Sequence, residues 1–350
     1  MSAPVREVRP DAAGSTEDAL TDFFADGARH IGTPDHRRLW EALADSADGG
    51  KRLRPALFHS VYEAFGGRER DVAARVGAAV ELLHTALVVH DDVIDGDTVR
   101  RGRPNVAGTF GEQARAAGQP EDRAGHYGAA AAILAGDLAL AGAVRMIALC
   151  GAAPATVARM LDDLDRALHL TAAGELTDVR LSMGAGSDVA EAITMEQQKT
   201  AVYSFELPLR LAAVLAGADE RHEEPLTRFA RLLGVAYQLQ DDLDGMFGEQ
   251  DVIGKSTLSD LREGKHTPLV AHARTTEYWP RISPYLASGE VDETDAAHVR
   301  RLLERCGARR FVESLVAELA GEARGAVAHL PVAPLLEGWV RTVLRTREAR

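Results

Sequence analysis

Residues 81–104 read ELLHTALVVHDDVIDGDTVRRGRP, an apolar segment that leads directly into a group of acids and then a group of arginines. Four aspartates lie within residues 91–97, and three arginines lie within residues 100–103. Like charges repel one another, and burial removes the water that solvates them, so carboxylates crowded at the end of a buried helix cost free energy. The stretch therefore predicts an apolar helix whose end binds a cation that offsets this charge.

The composition of the chain favours helices over sheets. Alanine and leucine dominate its 350 residues, β-branched runs are scarce, and no segment alternates cleanly as a strand does. Helical apolar spacing begins near residue 17 and continues almost to the end, with breaks at glycine and proline. Among the helices it predicts are one over residues 70–95 and one over residues 189–217. We predict an all-α chain that forms a single-domain helical bundle, with a disordered leader over residues 1–15 and one domain over residues 16–350.

Composition also limits the location and the partners of the protein. The first residues lack the apolar core of a signal peptide, and no run of 18 apolar residues is present. The net charge of −13 argues against nucleic acid as the main partner. Two cysteines are too few for a disulfide framework. We expect a cytoplasmic protein with no integral membrane segment.

Two acidic clusters mark the ends of two predicted apolar helices. Asp91 and Asp95 are one helical turn apart and project from one face, where their oxygens can share divalent cations. The second cluster, YQLQDDLDG at 237–245, places Gln238 and Asp241 on one face. A single cluster is common on a solvated surface. Two clusters at the ends of buried helices, each followed by arginine or lysine at turns, predict a site for magnesium and a diphosphate.

Lysine is rare in this chain, because only four of its 40 basic residues are lysines. Three of the four directly follow a glycine, and three precede a serine or threonine within two residues. A compact ammonium group binds phosphate oxygens as a point charge, so these contexts indicate anion-binding turns. The four residues are Lys51, Lys199, Lys255 and Lys265.

With these motifs the chain resembles the trans-isoprenyl diphosphate synthases, the polyprenyl synthetase family, and in particular its actinobacterial geranylgeranyl diphosphate synthases. The resemblance covers roughly residues 20–345, and its most specific part is DDVID followed by RRGRP. It implies an all-α bundle of the isoprenoid synthase type with a central active-site cavity. Further matching blocks are GGKRLRP at 49–55, LAGDLAL at 134–140, GELTD at 174–178, QKT at 198–200, YQLQDD at 237–242 and GKSTLSDLREGK at 254–265.

The resemblance implies a role for each of these motifs. Three magnesium ions would be bound by Asp91, Asp95 and Asp241. The diphosphate of isopentenyl diphosphate would be held by Lys51, Arg54, His84 and Arg101. The diphosphate of the allylic substrate would be held by Arg100, Lys199, Lys255 and Lys265. The dipoles of Thr200 and Gln238 would stabilise the allylic cation.

The implied reaction is a prenyl transfer by ionisation, condensation and elimination, catalysed by the domain at 16–350 as a homodimer. Isopentenyl diphosphate would be condensed with dimethylallyl, geranyl or farnesyl diphosphate. The alternatives are a farnesyl or longer-chain synthase, a class I terpene cyclase and a non-catalytic partner subunit. GGKRLRP and Arg101 argue against the cyclase, because the resemblance assigns both to an isopentenyl site. The intact first cluster argues against the partner subunit.

Two positions bear on details of this function. The family usually has a third acid where this chain has Gly245, and Asp244 is only partly on the face of Asp241, so we expect water to complete the metal shell. The resemblance implies that the pocket for chain growth starts below the first aspartates, where Ala86 would leave depth and Leu87 would contribute to a floor. We therefore predict geranylgeranyl diphosphate as the product.

Overall fold

The computed structural model describes residues 11–183, 188–248, 261, 265, 267–286 and 291–345. The regular secondary structure of these residues is helical apart from one hairpin of two-residue strands, so the predicted all-α class is confirmed. The chain divides into two compact units, which are described separately below. The first comprises the described part of Met1–Leu164 together with Pro208–Ala218, and the second comprises the described parts of Asp165–Leu207 and Asp219–Arg350.

The first unit is built around one long apolar helix. Its helices are α1 (Asp11–Ala28), α2 (Pro34–Ala47), α3 (Leu53–Ala64), α4 (Arg70–Asp95), α5 (Val106–Ala116), α6 (Glu121–Ala148), the start of α7 (Pro154–Ser182) and α9 (Leu207–Ala216). Helix α4 packs against α6, α1 and α3, and fourteen of its residues are buried. It ends at Gly96, whose positive φ of 73° gives the left-handed conformation that terminates many helices. The predicted helix at 70–95 is therefore confirmed, and its last turn carries the first acidic cluster.

The start of the chain is described from residue 11 onward. Helix α1 begins at Asp11, which lies inside the predicted leader at 1–15, and residues 1–10 lie outside the described residues.

A hairpin follows α4 that the sequence analysis did not predict. Strand β1 (Val99–Arg100) pairs antiparallel with strand β2 (Arg103–Pro104). Arg101 and Gly102 form the turn, and both have a positive φ, of 53° and 73°. Two-residue hairpin loops favour this conformation because it matches the twist of the strands. Strands of two residues are too short to produce an alternating pattern, so the sequence gives no strand signal here.

The second unit has its core between α10 and the C-terminal helices. It contains the rest of α7, α8 (Val189–Glu196), a π-helix (Gln197–Glu206), α10 (Glu223–Phe247), α11 (Pro268–Arg274), α12 (Trp279–Ile282), α13 (Glu293–Arg305), α14 (Ala308–Val327) and α15 (Ala333–Arg345). Leu239, Leu243 and Met246 of α10 lie in one apolar cluster with Leu302 and Val312. This cluster supports the helix end that carries the second acidic cluster.

Two helices are long and apolar enough to cross a membrane by length and composition alone. They are Arg70–Asp95, in which 72% of the most apolar window is buried in the protein, and Glu121–Ala148, in which 44% is buried. The core helix of a water-soluble protein passes the same test. Exposed apolar side chains on α6, which include Ile133 and Leu134, account for its lower burial.

Candidate active site

The first acidic cluster contains its own counter-charge. The guanidinium of Arg100 donates from Nε to Oδ1 of Asp92 over 2.6 Å, and its Nη2 lies 3.3 Å from Oδ2 of Asp91. Asp92 is buried, and burial raises the pKa of its carboxyl group even though Arg100 acts in the opposite direction. Arg100 therefore offsets part of the repulsion that the sequence analysis assigned to a bound metal alone.

Asp91 and Asp95 occupy the face of α4 that the helical spacing predicts. Asp91 is partly buried, whereas Asp95 is exposed in the last turn. Among the described residues no three His, Cys, Asp or Glu side chains converge as a complete metal site. Magnesium is usually bound by one or two carboxylates, with waters and substrate phosphates filling the other positions. Two hard carboxylate donors one turn apart fit that mode of binding.

A basic cluster lies in the same unit and joins two motifs, GGKRLRP and RRGRP, whose first residues are 51 positions apart. A Cβ atom placed on Gly50 would lie 3.2 Å from Nη2 of Arg101, so the GGKRLRP turn and the hairpin turn are adjacent. Gly50 itself has a φ of 85°. Lys51 is exposed and Arg54 is partly buried at the start of α3. The structure therefore brings the predicted isopentenyl residues of the two motifs together.

His84 of α4 belongs to the same cluster. Burial lowers the pKa of its imidazole well below the ordinary value, and the positive charges of Arg54, Arg101 and Arg100 lower it further. His84 is therefore neutral at pH 7 and can donate one hydrogen bond without adding charge. All four described members of the predicted isopentenyl set belong to the first unit.

Ala86 and Leu87, the predicted chain-length residues, lie on α4 between His84 and the aspartates. Ala86 is 1% exposed, and Leu87 is partly exposed. His90 lies in the next turn, where its Nε2 is 3.3 Å from the carbonyl oxygen of Ile133 on α6. A Cβ atom on Gly136 would overlap the imidazole of His90, so this helix pair depends on that glycine.

Lys199 and Thr200 lie on the π-helix, where the sequence analysis predicted an unbroken α-helix over 189–217. Wider helical turns of this kind are rare and often occur at functional sites. The Nζ atom of Lys199 lies 2.6 Å from Oδ2 of Asp178 and 3.1 Å from Oε2 of Glu175. A Cβ atom on Gly174 would overlap the backbone nitrogen of Lys199. The GELTD motif of α7 therefore holds the ammonium group and also permits close approach of the π-helix.

The sequence analysis missed Glu196, the last residue of α8. Its side chain is buried, and burial raises the pKa of its carboxyl group to about 8, with a further contribution from Asp178. The positive charges of Lys199 and Lys265 act in the opposite direction, and the charge of Asp241 raises the pKa. Glu196 thus lies among the predicted site residues of the second unit. Its only sequence signal is an acid three residues before a lysine, which is common on helix surfaces.

The second acidic cluster occupies the last turns of α10. Asp242 is buried, and Nε2 of Gln238 lies 3.4 Å from its Oδ1 atom. Asp241 is partly buried. Asp244 accepts a hydrogen bond from Nε2 of Gln240 over 2.8 Å, which gives it a partner within its own helix. Lys265 is described and partly buried, whereas Lys255 lies outside the described residues.

Comparison with known proteins identifies the family. Residues 36–303 match the family described as Polyprenyl synthetase. The chain belongs to the polyprenyl synthetase family. Like other members it is a trans-prenyltransferase, and the family resemblance predicted from the motifs is confirmed.

Three relatives illustrate the range of this family. A geranylgeranyl diphosphate synthase of Methanosarcina mazei is 33% identical over 269 residues, which are 76% of each chain. A nonaprenyl diphosphate synthase of Mycobacterium tuberculosis is 32% identical over 310 residues, or 85% of this chain and 84% of the relative. The crystal structure of a geranylgeranyl pyrophosphate synthase from Corynebacterium glutamicum, complexed with isoprenyl diphosphate and magnesium, has a TM-score of 0.89 at 27% identity. It matches over 97% of this chain and 100% of its own.

Proposed function

We propose that this chain condenses isopentenyl diphosphate with an allylic diphosphate and that its main product is geranylgeranyl diphosphate. The observation that carries the proposal is the grouping of Arg54, His84 and Arg101 in the unit that bears the DDVID aspartates. An enzyme that only ionises one diphosphate has no need for a second basic cluster. A condensing enzyme needs it to hold the nucleophilic substrate.

The predicted roles of the remaining residues follow from their charges. Asp91, Asp95 and Asp241 would hold three magnesium ions, which neutralise the charge of the departing diphosphate when they are bound. The other cations for the allylic diphosphate would be Arg100, Lys199, Lys255 and Lys265, and those for isopentenyl diphosphate would be Lys51, Arg54, His84 and Arg101. Preorganised positive charge of this kind stabilises the transition state without reorganisation.

The reaction then needs no protein nucleophile. The allylic carbon–oxygen bond breaks, and the carbonyl and hydroxyl dipoles of Gln238 and Thr200 stabilise the cation. The double bond of isopentenyl diphosphate attacks this cation to form the new carbon–carbon bond. A proton then leaves the condensed intermediate to the displaced diphosphate. The substrate would be a dimethylallyl, geranyl or farnesyl diphosphate.

Product length varies among the relatives of this chain. Relatives at 30–33% identity include geranylgeranyl, geranylfarnesyl and nonaprenyl diphosphate synthases, so similarity alone does not separate these products. The small, buried side chain of Ala86 supports a pocket deeper than that of a farnesyl-forming enzyme. We propose twenty carbons as the main product and longer chains as the alternative.

The purified chain provides a direct test. Incubation with radiolabelled isopentenyl diphosphate, magnesium and each allylic primer should give labelled products of twenty carbons on reversed-phase chromatography. Asp91→Asn and Asp241→Asn should each lower kcat by about a hundredfold or more, since each removes a carboxylate that would hold magnesium against the departing diphosphate. Arg101→Gln should raise KM for isopentenyl diphosphate more than KM for the primer.

The control for Arg101→Gln is Arg103→Gln, an exposed arginine of the same hairpin that is outside the predicted set. This control should retain wild-type kinetics. Formation of a cyclic hydrocarbon from a preformed prenyl diphosphate, with no incorporation of isopentenyl diphosphate, would contradict the proposal. Incorporation that appears only after a second protein is added would also contradict it.

We also propose that the chain is a cytoplasmic homodimer that pairs through the exposed face of α6. Tyr127, Ile133, Leu134 and Val144 are exposed on this helix at spacings that place them along one side. Apolar side chains grouped in this way are typical of subunit interfaces. Ile133→Asp combined with Leu134→Asp should give a monomer in light scattering. Met183→Asp, at an exposed apolar residue that directly follows α7, should leave the dimer intact.

A further inference from the structure

A cleft of about 420 Å³ in the second unit has no role in the proposed prenyl transfer. It lies between the short helix α12 and the last turns of α13, on neither of the helices that carry the acidic clusters. Small-molecule sites usually have volumes of about 300–1,000 Å³, so the cleft is large enough for a ligand. Its lining residues are Arg281, His298, Arg301, Leu302, Glu304 and Arg305.

The cleft carries an excess of positive charge. None of its three arginines forms an ion pair with a described residue. Its single acid, Glu304, is already engaged, because its Oε1 atom lies 2.8 Å from Nη1 of Arg309. The whole chain has 53 acids and 40 lysines and arginines, so carboxylate partners are abundant elsewhere. Three exposed guanidinium ions therefore line this cleft without a carboxylate partner among the described residues.

The positions of the basic residues are set by helix geometry. His298, Arg301 and Arg305 are three and four residues apart on α13 and so share one face. Arg281 comes from α12 and lines the same cleft. The C-terminal end of α13 is the negative end of its dipole, which accounts for a cation at Arg305. It does not account for Arg281, which lies on α12. Leu302 lies at the cleft but is only 1% exposed, so it offers a ligand almost no apolar surface.

We propose that this cleft is a second anion site that binds a diphosphate group. Guanidinium forks match phosphate oxygens in pairs, and three of them suit a compact anion with several negative charges. The net charge of −13 disfavours a long polyanion, because such a molecule would approach an acidic surface beyond the cleft. The group could belong to free inorganic diphosphate or to a prenyl diphosphate.

The two helices that line the cleft also contact the core of the second unit, so a bound ligand should affect the stability of that unit. Arg300, next to Arg301, donates from Nε to the carbonyl oxygen of Met246 on α10 over 2.7 Å. Ile282 and Leu302 lie in the same apolar cluster as Met246. A ligand that fixes α12 against α13 should therefore stabilise the unit as a whole, which a thermal shift can detect.

The test is calorimetric titration of inorganic diphosphate into the full chain without divalent metal. The wild type should bind inorganic diphosphate at the cleft, in addition to any diphosphate that binds at the basic residues of the prenyl-transfer site. Arg301→Gln combined with Arg305→Gln should lose one binding event, or weaken it by about tenfold or more, because two charge-assisted contacts are removed. The matched control is Arg228→Gln, an exposed arginine of α10 that pairs with Glu322. It should bind as the wild type does.

Two further measurements keep the result decisive. The double variant should retain the wild-type unfolding temperature and initial rate in the absence of added diphosphate, which shows that it is folded and competent. Titration with geranyl diphosphate distinguishes a prenyl ligand from the free anion. Identical isotherms for the wild type and the double variant would overturn the proposal. So would loss of binding to anionic phospholipid vesicles without any change for diphosphate, since this would identify a membrane contact instead.

Discussion

Arg52, a residue of the GGKRLRP turn, forms a buried ion pair with Glu81 of α4. Nη1 of Arg52 donates to Oε1 of Glu81 over 2.8 Å, and the two side chains are only 9% and 8% exposed. The same guanidinium pairs with Glu17 of α1 and donates to the carbonyl oxygen of Ala47. Arg52 itself has a φ of 48°, so its backbone is held in the left-handed region between Lys51 and Arg54. The network therefore fixes the turn that presents two predicted substrate ligands.

Replacement of Arg52 by Leu should lower the free energy of unfolding by about 3–5 kcal/mol, because it leaves a buried carboxylate without its cation. Urea denaturation measures this change. The control is Arg228→Leu, which breaks an exposed ion pair and should cost less than about 1 kcal/mol. The milder Arg52→Lys keeps the charge but loses the fork, and it should raise KM for isopentenyl diphosphate. An unchanged KM in a folded variant would show that the turn does not depend on this network.

Replacement of Gly174 by Ala should separate α7 from the π-helix, since the new methyl group would overlap the backbone nitrogen of Lys199. Overpacking of this kind costs about 1–3 kcal/mol, and the displacement of Lys199 should also lower kcat. Gly125→Ala on α6 is the matched control, because its Cβ atom would meet nothing within 4 Å. The control should be neutral or slightly stabilising. Equal unfolding free energies for the two variants would contradict this account.

The carboxyl group of Glu196 should make the stability of the protein dependent on pH. Its pKa is about 8 in the folded protein and near the ordinary value of 4.5 when unfolded. Between these values the folded state binds more protons, so the free energy of unfolding should fall as pH rises from 4.5 to 8. Glu196→Gln removes this contribution and should therefore gain stability relative to the wild type as pH rises through that range.

Urea denaturation of both proteins at pH 6 and pH 8.5 measures the difference for Glu196→Gln. Glu191→Gln, at a partly exposed acid of the same helix, serves as the control and should follow the wild type at both values. A constant difference between Glu196→Gln and the wild type would mean that this carboxyl group does not titrate in the range.

Replacement of Ala86 by Tyr should shorten the main product toward fifteen carbons, because the ring would fill the space below the first aspartates. The site is 1% exposed, so the unfolding temperature must be measured alongside the chromatographic product profile. Ala86→Gly leaves the space open and should not shorten the product. An unchanged profile in folded Ala86→Tyr would remove this residue from the determination of chain length.

The sequence was sufficient to predict the helical class, the two acidic clusters and the family. Those features depend on local spacing: an apolar pattern of period 3.6 predicts a helix such as α4, and a separation of four residues places Asp91 and Asp95 on one face. The rare lysines were equally informative, because their glycine contexts are local as well. Glycines also mark the ends of helices by a local effect, and α4 ends at Asp95, directly before Gly96, as the sequence predicts.

Only the tertiary structure revealed the pairing of Arg100 with Asp92, the π-helix and the buried Glu196. Each depends on a neighbour that is distant along the chain or on a helical turn of unusual width. The π-helix requires Gly174 of α7 to admit the backbone of Lys199, and no pattern within residues 197–206 encodes that approach. The burial of Glu196 likewise depends on surrounding elements. Local periodicity determines which residues share a face, whereas packing determines what that face meets.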